Sequence, residues 1–202
     1  DTTRGALAVT VTVIGDLQGR EALTRTGAVA GDELWVSGTP GDAALALGLG
    51  AVQRDGAPEA AATLERRLRW PEPRLALGEA LTGLARAAID LSDGLVQDLG
   101  HVLAASGVGA AIDSDALPVS AAATAVAGRA GAQSAALAGG DDYELLFTAP
   151  ASLGAEVAAL SGPDCALQRI GVITAEPGIR FTGWAAGRDP ADFAGWDHFR
   201  AG

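Results

Sequence analysis

Apolar and polar positions alternate with a period of two over residues 6–14, with Leu7, Val9, Val11 and Val13 on one side and Ala8, Thr10, Thr12 and Ile14 on the other. That period and the β-branched content predict a strand. Residues 15–31 read as loop. Residues 33–38 predict another strand, turned by Thr39-Pro40-Gly41-Asp42 into an Ala- and Leu-rich helix at 43–49 that Asp42 would cap. Leu64 and Leu68 mark a helix at 59–69, which Trp70-Pro71-Glu72-Pro73 breaks. A helix from residue 75 to about 86 feeds an apolar strand through Ala87, Ala88 and Ile89, after which Leu95, Leu99, Val102 and Leu103 recur at helical spacing. Strands at 109–113, 143–148 and 166–173, an edge strand at 179–182, and helices at 120–128 and 151–160 complete the pattern, with Ala149-Pro150 ending the second of these strands. There is no internal repeat and no disordered linker, although residues 121–138 are low in specificity. The order of elements predicts an α/β domain, a layered mixed sheet with helices.

The densest chemistry lies where the central strand passes into its helix, at Asp90-Leu91-Ser92-Asp93-Gly94-Leu95. A strand-to-helix turn aims backbone N–H groups and the positive helix end at one point, which suits an anion or a metal-bound phosphate. Asp90 and Asp93 flank that point, and carboxylate oxygens are hard donors suited to Mg²⁺, which takes one or two of them and completes its shell with water and phosphate. The alternative is that Asp93 only caps the helix and Asp90 only ends the strand. Further on, Gly139-Gly140 lets the backbone pass close to a ligand, and Asp141-Asp142-Tyr143-Glu144 puts three carboxylates in four residues. Such a cluster requires solvent, cations or donor groups nearby.

Composition narrows the chemistry. The chain of 202 residues has no Lys, Asn or Met, and its formal charge is −11. Without Lys there is no P-loop lysine and no Schiff base, so phosphate must be held by Arg, backbone N–H groups or metal ions. The acidic balance argues against a nucleic-acid surface. Cys165 is the only cysteine, which rules out an internal disulfide and reads as a small buried hydrophobe. His101 and His198 lack a third ligand or nucleophilic partner and read as structural or solvated. No apolar run is long enough to span a membrane, and a cytoplasmic location is the default expectation.

Read together, Asp1-Thr2-Thr3-Arg4-Gly5, Gly19-Arg20-Glu21-Ala22-Leu23-Thr24-Arg25, Gly38-Thr39-Pro40-Gly41-Asp42, Asp90-Leu91-Ser92-Asp93-Gly94-Leu95, Gly139-Gly140-Asp141-Asp142-Tyr143-Glu144-Leu145 and the ending Trp196-Asp197-His198-Phe199 form an ordered set. In these motifs the chain resembles the thiamine-monophosphate kinase family over nearly its whole length. The resemblance implies the C-terminal domain of the aminoimidazole ribonucleotide synthetase-like superfamily, ATP as co-substrate, Mg²⁺, and transfer of the γ-phosphoryl group to thiamine monophosphate. It implies Asp1, Asp90 and Asp93 as metal ligands, and Asp1, Arg25 and Ser92 at ATP. It further implies Asp141 and Trp196 at thiamine monophosphate, where many family members carry Glu at the position of Asp141. No protein nucleophile is expected, because positioning and charge neutralisation supply the catalysis. Residues 1–17 read as the last strand and motif of a truncated N-terminal ATP- and metal-binding domain, and residues 18–202 as the C-terminal α/β domain. The intact protein would be a homodimer, and the stretch alone an impaired enzyme. Two other readings stand beside this one: another ATP-dependent enzyme of the superfamily, such as aminoimidazole ribonucleotide synthetase or selenophosphate synthetase, and a non-catalytic nucleotide-binding or association domain.

Overall fold

The computed structural model describes residues 9–17 and 19–193. In chain order the elements are β1 (Asp32–Ser37), α1 (Asp42–Gly48), α2 (Ala51–Gly56), α3 (Pro58–Arg69), α4 (Leu75–Ala80), β2 (Ala87–Asp90), α5 (Leu95–Ser106), β3 (Gly109–Asp113), α6 (Ala121–Ala138), β4 (Leu145–Pro150), α7 (Gly154–Ala159), β5 (Leu167–Thr174) and β6 (Gly178–Thr182). The strands form one six-stranded sheet in the order β2-β4-β1-β5-β3-β6. It is antiparallel except for the β3–β6 pair, which is the mixed sheet the sequence predicts.

Period-two alternation sorts the strand residues onto the two faces. Leu34, Val36, Ile89 and Leu146 pack with Leu95, Leu99 and Val102 of α5 in the largest core. Their strand neighbours Trp35 and Phe147 face the other way and pack with Leu77, Leu81 and Val157. A third cluster, built on Ala46, Leu64, Ala123 and Ala132, joins α1, α3 and α6.

Several expectations are corrected. Residues 9–14 form no strand, and Val9, Val11, Val13 and Ile14 are exposed. An alternating sequence becomes a strand only where a neighbour completes its hydrogen-bond ladder, and none of the six strands pairs with it. The helix predicted from 75 to about 86 stops at Ala80 and gives way to turns, with Gly83 at φ 84°. The strand predicted at 143–148 starts later, at Leu145, because Tyr143 is left-handed, and Pro150 lies inside its end rather than beyond it. The predicted helix 120–128 continues as α6 to Ala138 but breaks at Gly128, whose φ and ψ are 67° and 166°.

The register decides where the chemistry goes. Asp90 pairs with Leu145 and Val36 with Leu146, so the C-terminal ends of β1 and β2 flank the beginning of β4. The three connections leaving or entering at that end are residues 38–41, 91–94 and 139–144. They are the glycine- and aspartate-rich motifs of the sequence.

Candidate functional site

These three connections are locked together by backbone hydrogen bonds. Asp141 N–H donates to the Ser92 carbonyl at 2.9 Å, Tyr143 N–H to Leu91 at 2.8 Å, and Leu91 N–H to Glu144 at 2.8 Å. Such close approach requires glycine. A Cβ on Gly140 would run into the Ser92 carbonyl, and one on Gly41, at φ 92°, would lie 2.5 Å from the Ala136 nitrogen.

In the central turn the structure overturns the expectation of an open anion site. One oxygen of the Asp98 carboxylate, Oδ2, accepts the N–H groups of Ser92, Asp93 and Gly94 at 3.0, 3.1 and 3.2 Å. The N-terminus of α5 therefore carries its own anion, and Asp98 is buried. Burial raises its carboxyl above the usual range, against the lowering effect of those three donors. The capping alternative for Asp93 fails as well, since the N-cap residue is Gly94 and no side chain caps the helix from that position. Asp93, half-buried, and Asp90, exposed at the end of β2, are left to other work.

A parallel correction applies to α1. Its N-cap is Gly41, and the carboxylate that meets its first N–H groups is that of Asp142, accepting from Gly41 at 2.6 Å and Ala43 at 3.1 Å. Asp42 instead accepts the hydroxyls of Thr39 at 2.8 Å and Ser120 at 2.7 Å, tying α1 to the start of α6. Burial raises its carboxyl, and the same effect pushes that of Asp142 up to about 7.

The three carboxylates in four residues are thus separated by alternation. Asp142 and Glu144 point inward. Glu144 is buried and accepts from Ser37 Oγ at 2.5 Å, from Arg74 Nε at 2.8 Å and Nη2 at 2.6 Å, and from Arg67. Burial opposes its charge, but these donors outweigh burial and hold its carboxyl below the usual value. Asp141 and Tyr143 point outward and are exposed; both have positive φ, 66° and 53°, although neither is glycine. The Tyr143 phenol is pushed up by burial, by the charges of Asp141, Asp90 and Asp93, and by a hydrogen bond to Asp141. Among the described residues no ion pair involves Asp90, Asp93 or Asp141.

The structure thereby brings Asp90, Ser92, Asp93 and Asp141 to one end of the sheet. Arg25 lies on the loop before β1: its carbonyl accepts the Ser106 hydroxyl at 3.4 Å, and the neighbouring Thr24 carbonyl accepts the Ala88 N–H of β2 at 2.8 Å. Asp1, Trp196 and His198 lie outside the described residues. His101 is exposed on α5, and Cys165 is half-buried against the Trp35 and Phe147 cluster. Among the described residues no three His, Cys, Asp or Glu side chains gather closely enough to hold a metal by themselves. Asp90 and Asp93 nonetheless fit Mg²⁺ in donor chemistry and in number, because this ion commonly takes one or two carboxylates and leaves the rest of its shell to water and phosphate.

Sequence reasoning missed Asp98, Arg67, Arg74, Ser37 and the inward roles of Asp142 and Glu144. The signal for Asp98 was its place in the first turn of a helix that follows Asp93-Gly94, close enough to fold back over the turn. The partners of Asp142 and Glu144 lie too far away in sequence to have left one.

Sheet order and turn together define an AIR synthase-like α/β domain. The family described as AIR synthase related protein, C-terminal domain, matches residues 29–183, and the chain belongs to that family. Within it the chain is similar to thiamine-monophosphate kinases. That of Salmonella typhimurium is 42% identical over an alignment of 207 residues covering 98% of this chain and 62% of the Salmonella protein. The crystal structure of the thiamine-monophosphate kinase from Stenotrophomonas maltophilia K279a superposes with a TM-score of 0.74 at 44% identity, covering 84% of this chain and 55% of that one. AaThiL, in a structure complexed with AMPPCP and TMP, gives a TM-score of 0.71 at 31% identity, covering 88% and 54%. The chain therefore spans between about half and two thirds of the length of these relatives.

Proposed function

We propose that this chain forms the C-terminal α/β part of an ATP-dependent thiamine-monophosphate kinase, with residues 1–17 belonging to a preceding ATP- and metal-binding domain. The observation that carries the reading is the convergence of Asp90, Ser92, Asp93 and Asp141 at one sheet end, with no cation paired to the three carboxylates among the described residues. Support also comes from the relatives, one of which was solved with AMPPCP and TMP. In the reaction the γ-phosphoryl group of ATP passes to the phosphate of thiamine monophosphate, giving ADP and thiamine diphosphate. Both reactants are anions, so the work of the site is to hold them in line and offset their charge.

Asp90 and Asp93 would hold Mg²⁺, which supplies charge neutralisation between the two sets of phosphates. Asp98 keeps the turn amides occupied, so phosphate is received through the metal and side chains, including the Ser92 hydroxyl, and not by the helix end. Asp141 faces thiamine monophosphate; Asp1 and Trp196 keep their assignments to metal, ATP and substrate. Arg25 keeps its assignment to ATP. We read the intact protein as a homodimer of the cytoplasm; no helix among the described residues is long and apolar enough to cross a membrane.

The test is calorimetric titration of the chain with Mg²⁺ and a non-hydrolysable ATP analogue, and separately with thiamine monophosphate, alongside an assay for thiamine diphosphate. Binding of both ligands, with the nucleotide weakened by Asp90→Asn and by Asp93→Asn, is the expected result. Binding of neither ligand would overturn the kinase reading.

A further inference from the structure

Between Leu23 and Ala28 the chain makes a short turn that carries Arg25. Both of its ends are anchored in the fold. Leu23 packs on the Trp35 and Phe147 cluster, and Ala28, 3% exposed, belongs to the core around α5. The four residues between them are exposed, and the Arg25 guanidinium has no ion pair among the described residues. On a chain with a formal charge of −11, such a cation is open to an anionic ligand.

Exposed loops are ordinarily mobile, but this one is pinned from three sides. The Thr24 carbonyl accepts the Ala88 N–H of β2 at 2.8 Å. The Ser106 hydroxyl donates to the Arg25 carbonyl at 3.4 Å and accepts the Ala28 N–H at 3.2 Å, so one side chain bridges the two arms of the turn. Gly27 lies so close to the start of β2 that a Cβ there would stand 3.0 Å from the Arg86 carbonyl oxygen, and its φ of 109° suits glycine alone. Within the turn the hydroxyls of Thr24 and Thr26 are hydrogen-bonded at 2.9 Å.

Ser106 is the last residue of α5. A serine in a helix commonly returns its hydroxyl to a carbonyl of the preceding turn. This one leaves the helix for a segment 78 to 81 residues away. Its place is set by the way the helix ends: Gly107 turns left-handed at φ 70°, and the N–H groups of Gly107 and Val108 both return to the Leu103 carbonyl, at 2.8 and 3.2 Å. Leu95, Leu99, Val102 and Leu103 hold the helix in the core along its length.

The other end of α5 is the turn that presents Ser92 and Asp93. With 12 residues the helix is about 18 Å long. One buried rod therefore connects two places that the kinase reading gives to the nucleotide: the Ser92 turn at its start and, through Ser106, the Arg25 turn at its end.

Resting on the kinase reading, in which Arg25 meets ATP, we propose that Ser106 is a positioning residue for the nucleotide: it fixes the turn at 24–28, and the turn sets where the Arg25 guanidinium stands. Ser106 touches no ligand itself. A turn formed in advance spares the complex the cost of ordering a loop, and affinity rises by that amount.

The experiment titrates the whole chain with Mg²⁺ plus a non-hydrolysable ATP analogue, and separately with thiamine monophosphate. The variants are Ser106→Ala, Ser106→Thr, Gly27→Ala and Arg25→Gln, with Ser106→Ala and Gly27→Ala each made again in the Arg25→Gln background. Gly27→Ala strains the turn from the side away from the helix, so it tests the same step without touching α5. Ser106→Ala and Gly27→Ala should each weaken the nucleotide roughly threefold to tenfold, the effect of about one hydrogen bond's worth of order. Ser106→Thr, which keeps the hydroxyl, should recover the wild-type affinity. In the Arg25→Gln background neither change should weaken the nucleotide further, because the group that the turn positions is gone. Thiamine monophosphate should bind alike to all of them, and melting temperatures verify that each is folded. Wild-type nucleotide affinity in Ser106→Ala would overturn the proposal and leave the kinase reading standing. So would a loss that persists in the Arg25→Gln background, or an equal loss for thiamine monophosphate, since either makes Ser106 a residue of the fold alone. A wild-type chain that binds thiamine monophosphate but no nucleotide would likewise overturn this proposal only. Failure to bind either ligand would remove the kinase reading and this inference with it.

Discussion

Asp142 and Gly41 are 101 residues apart in sequence, yet the Asp142 carboxylate accepts the Gly41 N–H at 2.6 Å and so caps a helix that it does not belong to. The second oxygen reaches Ala43 of the same helix at 3.1 Å. This contact fixes the loop on which Asp141 and Tyr143 stand, because anchoring Asp142 and Glu144 inward leaves the residues between and before them facing out. One motif thereby carries two functions in alternation: the side chains of Asp142 and Glu144 build the fold, and those of Asp141 and Tyr143 face outward.

The burial of this carboxyl, which outweighs the lowering effect of the Gly41 and Ala43 donors, sets a pH dependence. Burial pushes the Asp142 carboxyl up to about 7, above its ordinary value of 3.8. With the folded value raised, the stabilising contribution of this group is fully present below the unfolded value and is lost as pH rises through the folded one. The stability gap between the wild-type chain and Asp142→Ala should therefore be wider at about pH 5 than at about pH 8. Urea unfolding midpoints at the two pH values measure this, and a gap that widens toward alkaline pH would contradict it.

Two glycines should respond to the same substitution with opposite signs. Gly140→Ala drives a methyl group into the Ser92 carbonyl, where backbone must move, and should destabilise by about 2 kcal/mol or more while loosening the loop at Asp141. Gly100 lies inside α5 with open space where a Cβ would go, so Gly100→Ala should stabilise by about 0.5–1 kcal/mol. Thermal melts of the two variants beside the parent give the comparison.

How far the sequence could be read depended on how local each cause was. The alternation of Leu34 and Val36 against Trp35, and the helical spacing of Leu95, Leu99 and Val102, are local signals, and the structure places them as expected. The alternation at residues 9–14 is equally clear, but it lacks a partner strand among the six of the sheet, and periodicity carries no information about partners. The turn at 90–94 was legible as a strand-to-helix passage. The acceptor for its amides was not, because any of several nearby carboxylates could have met them and only the fold selects Asp98. Asp142, Glu144 and Arg74 were opaque for a stronger reason: each depends on a partner about 70 or more residues away. The chemistry of the exposed residues was legible, and the buried groups that aim them were not.

Glu144 offers a test of that buried support. Removing its charge leaves Arg74, whose side chain is 9% exposed, with only the exposed Glu72 carboxylate at 3.5 Å, so Glu144→Gln should cost about 3 kcal/mol. Because the penalty belongs to the unmatched cation, Glu144→Gln combined with Arg74→Met should cost less than the sum of the single changes. A double-mutant cycle by denaturant unfolding measures the coupling, and strict additivity would mean that the pair does not act as a unit.

Asp93 and Asp98 should separate ligand binding from folding. The N–H groups of residues 92–94 go to Asp98, so Asp98→Ala leaves three donors without their acceptor and should destabilise the chain by about 2 kcal/mol or more. Asp93 does not cap α5 and sits half-buried among carboxylates that no cation pairs among the described residues, so Asp93→Asn should leave stability unchanged within about 0.5 kcal/mol. In the proposed kinase, Asp93→Asn removes an anionic metal ligand and should weaken nucleotide binding at low Mg²⁺ more than at high Mg²⁺, since a poorer site is filled by mass action. Nucleotide titrations at two Mg²⁺ concentrations, beside thermal melts without ligand, give both readouts on the same samples. If Asp93→Asn melts early while its folded fraction binds nucleotide normally, Asp93 is a structural residue after all; if Asp98→Ala keeps its melting temperature, the turn does not depend on the anion buried beneath it.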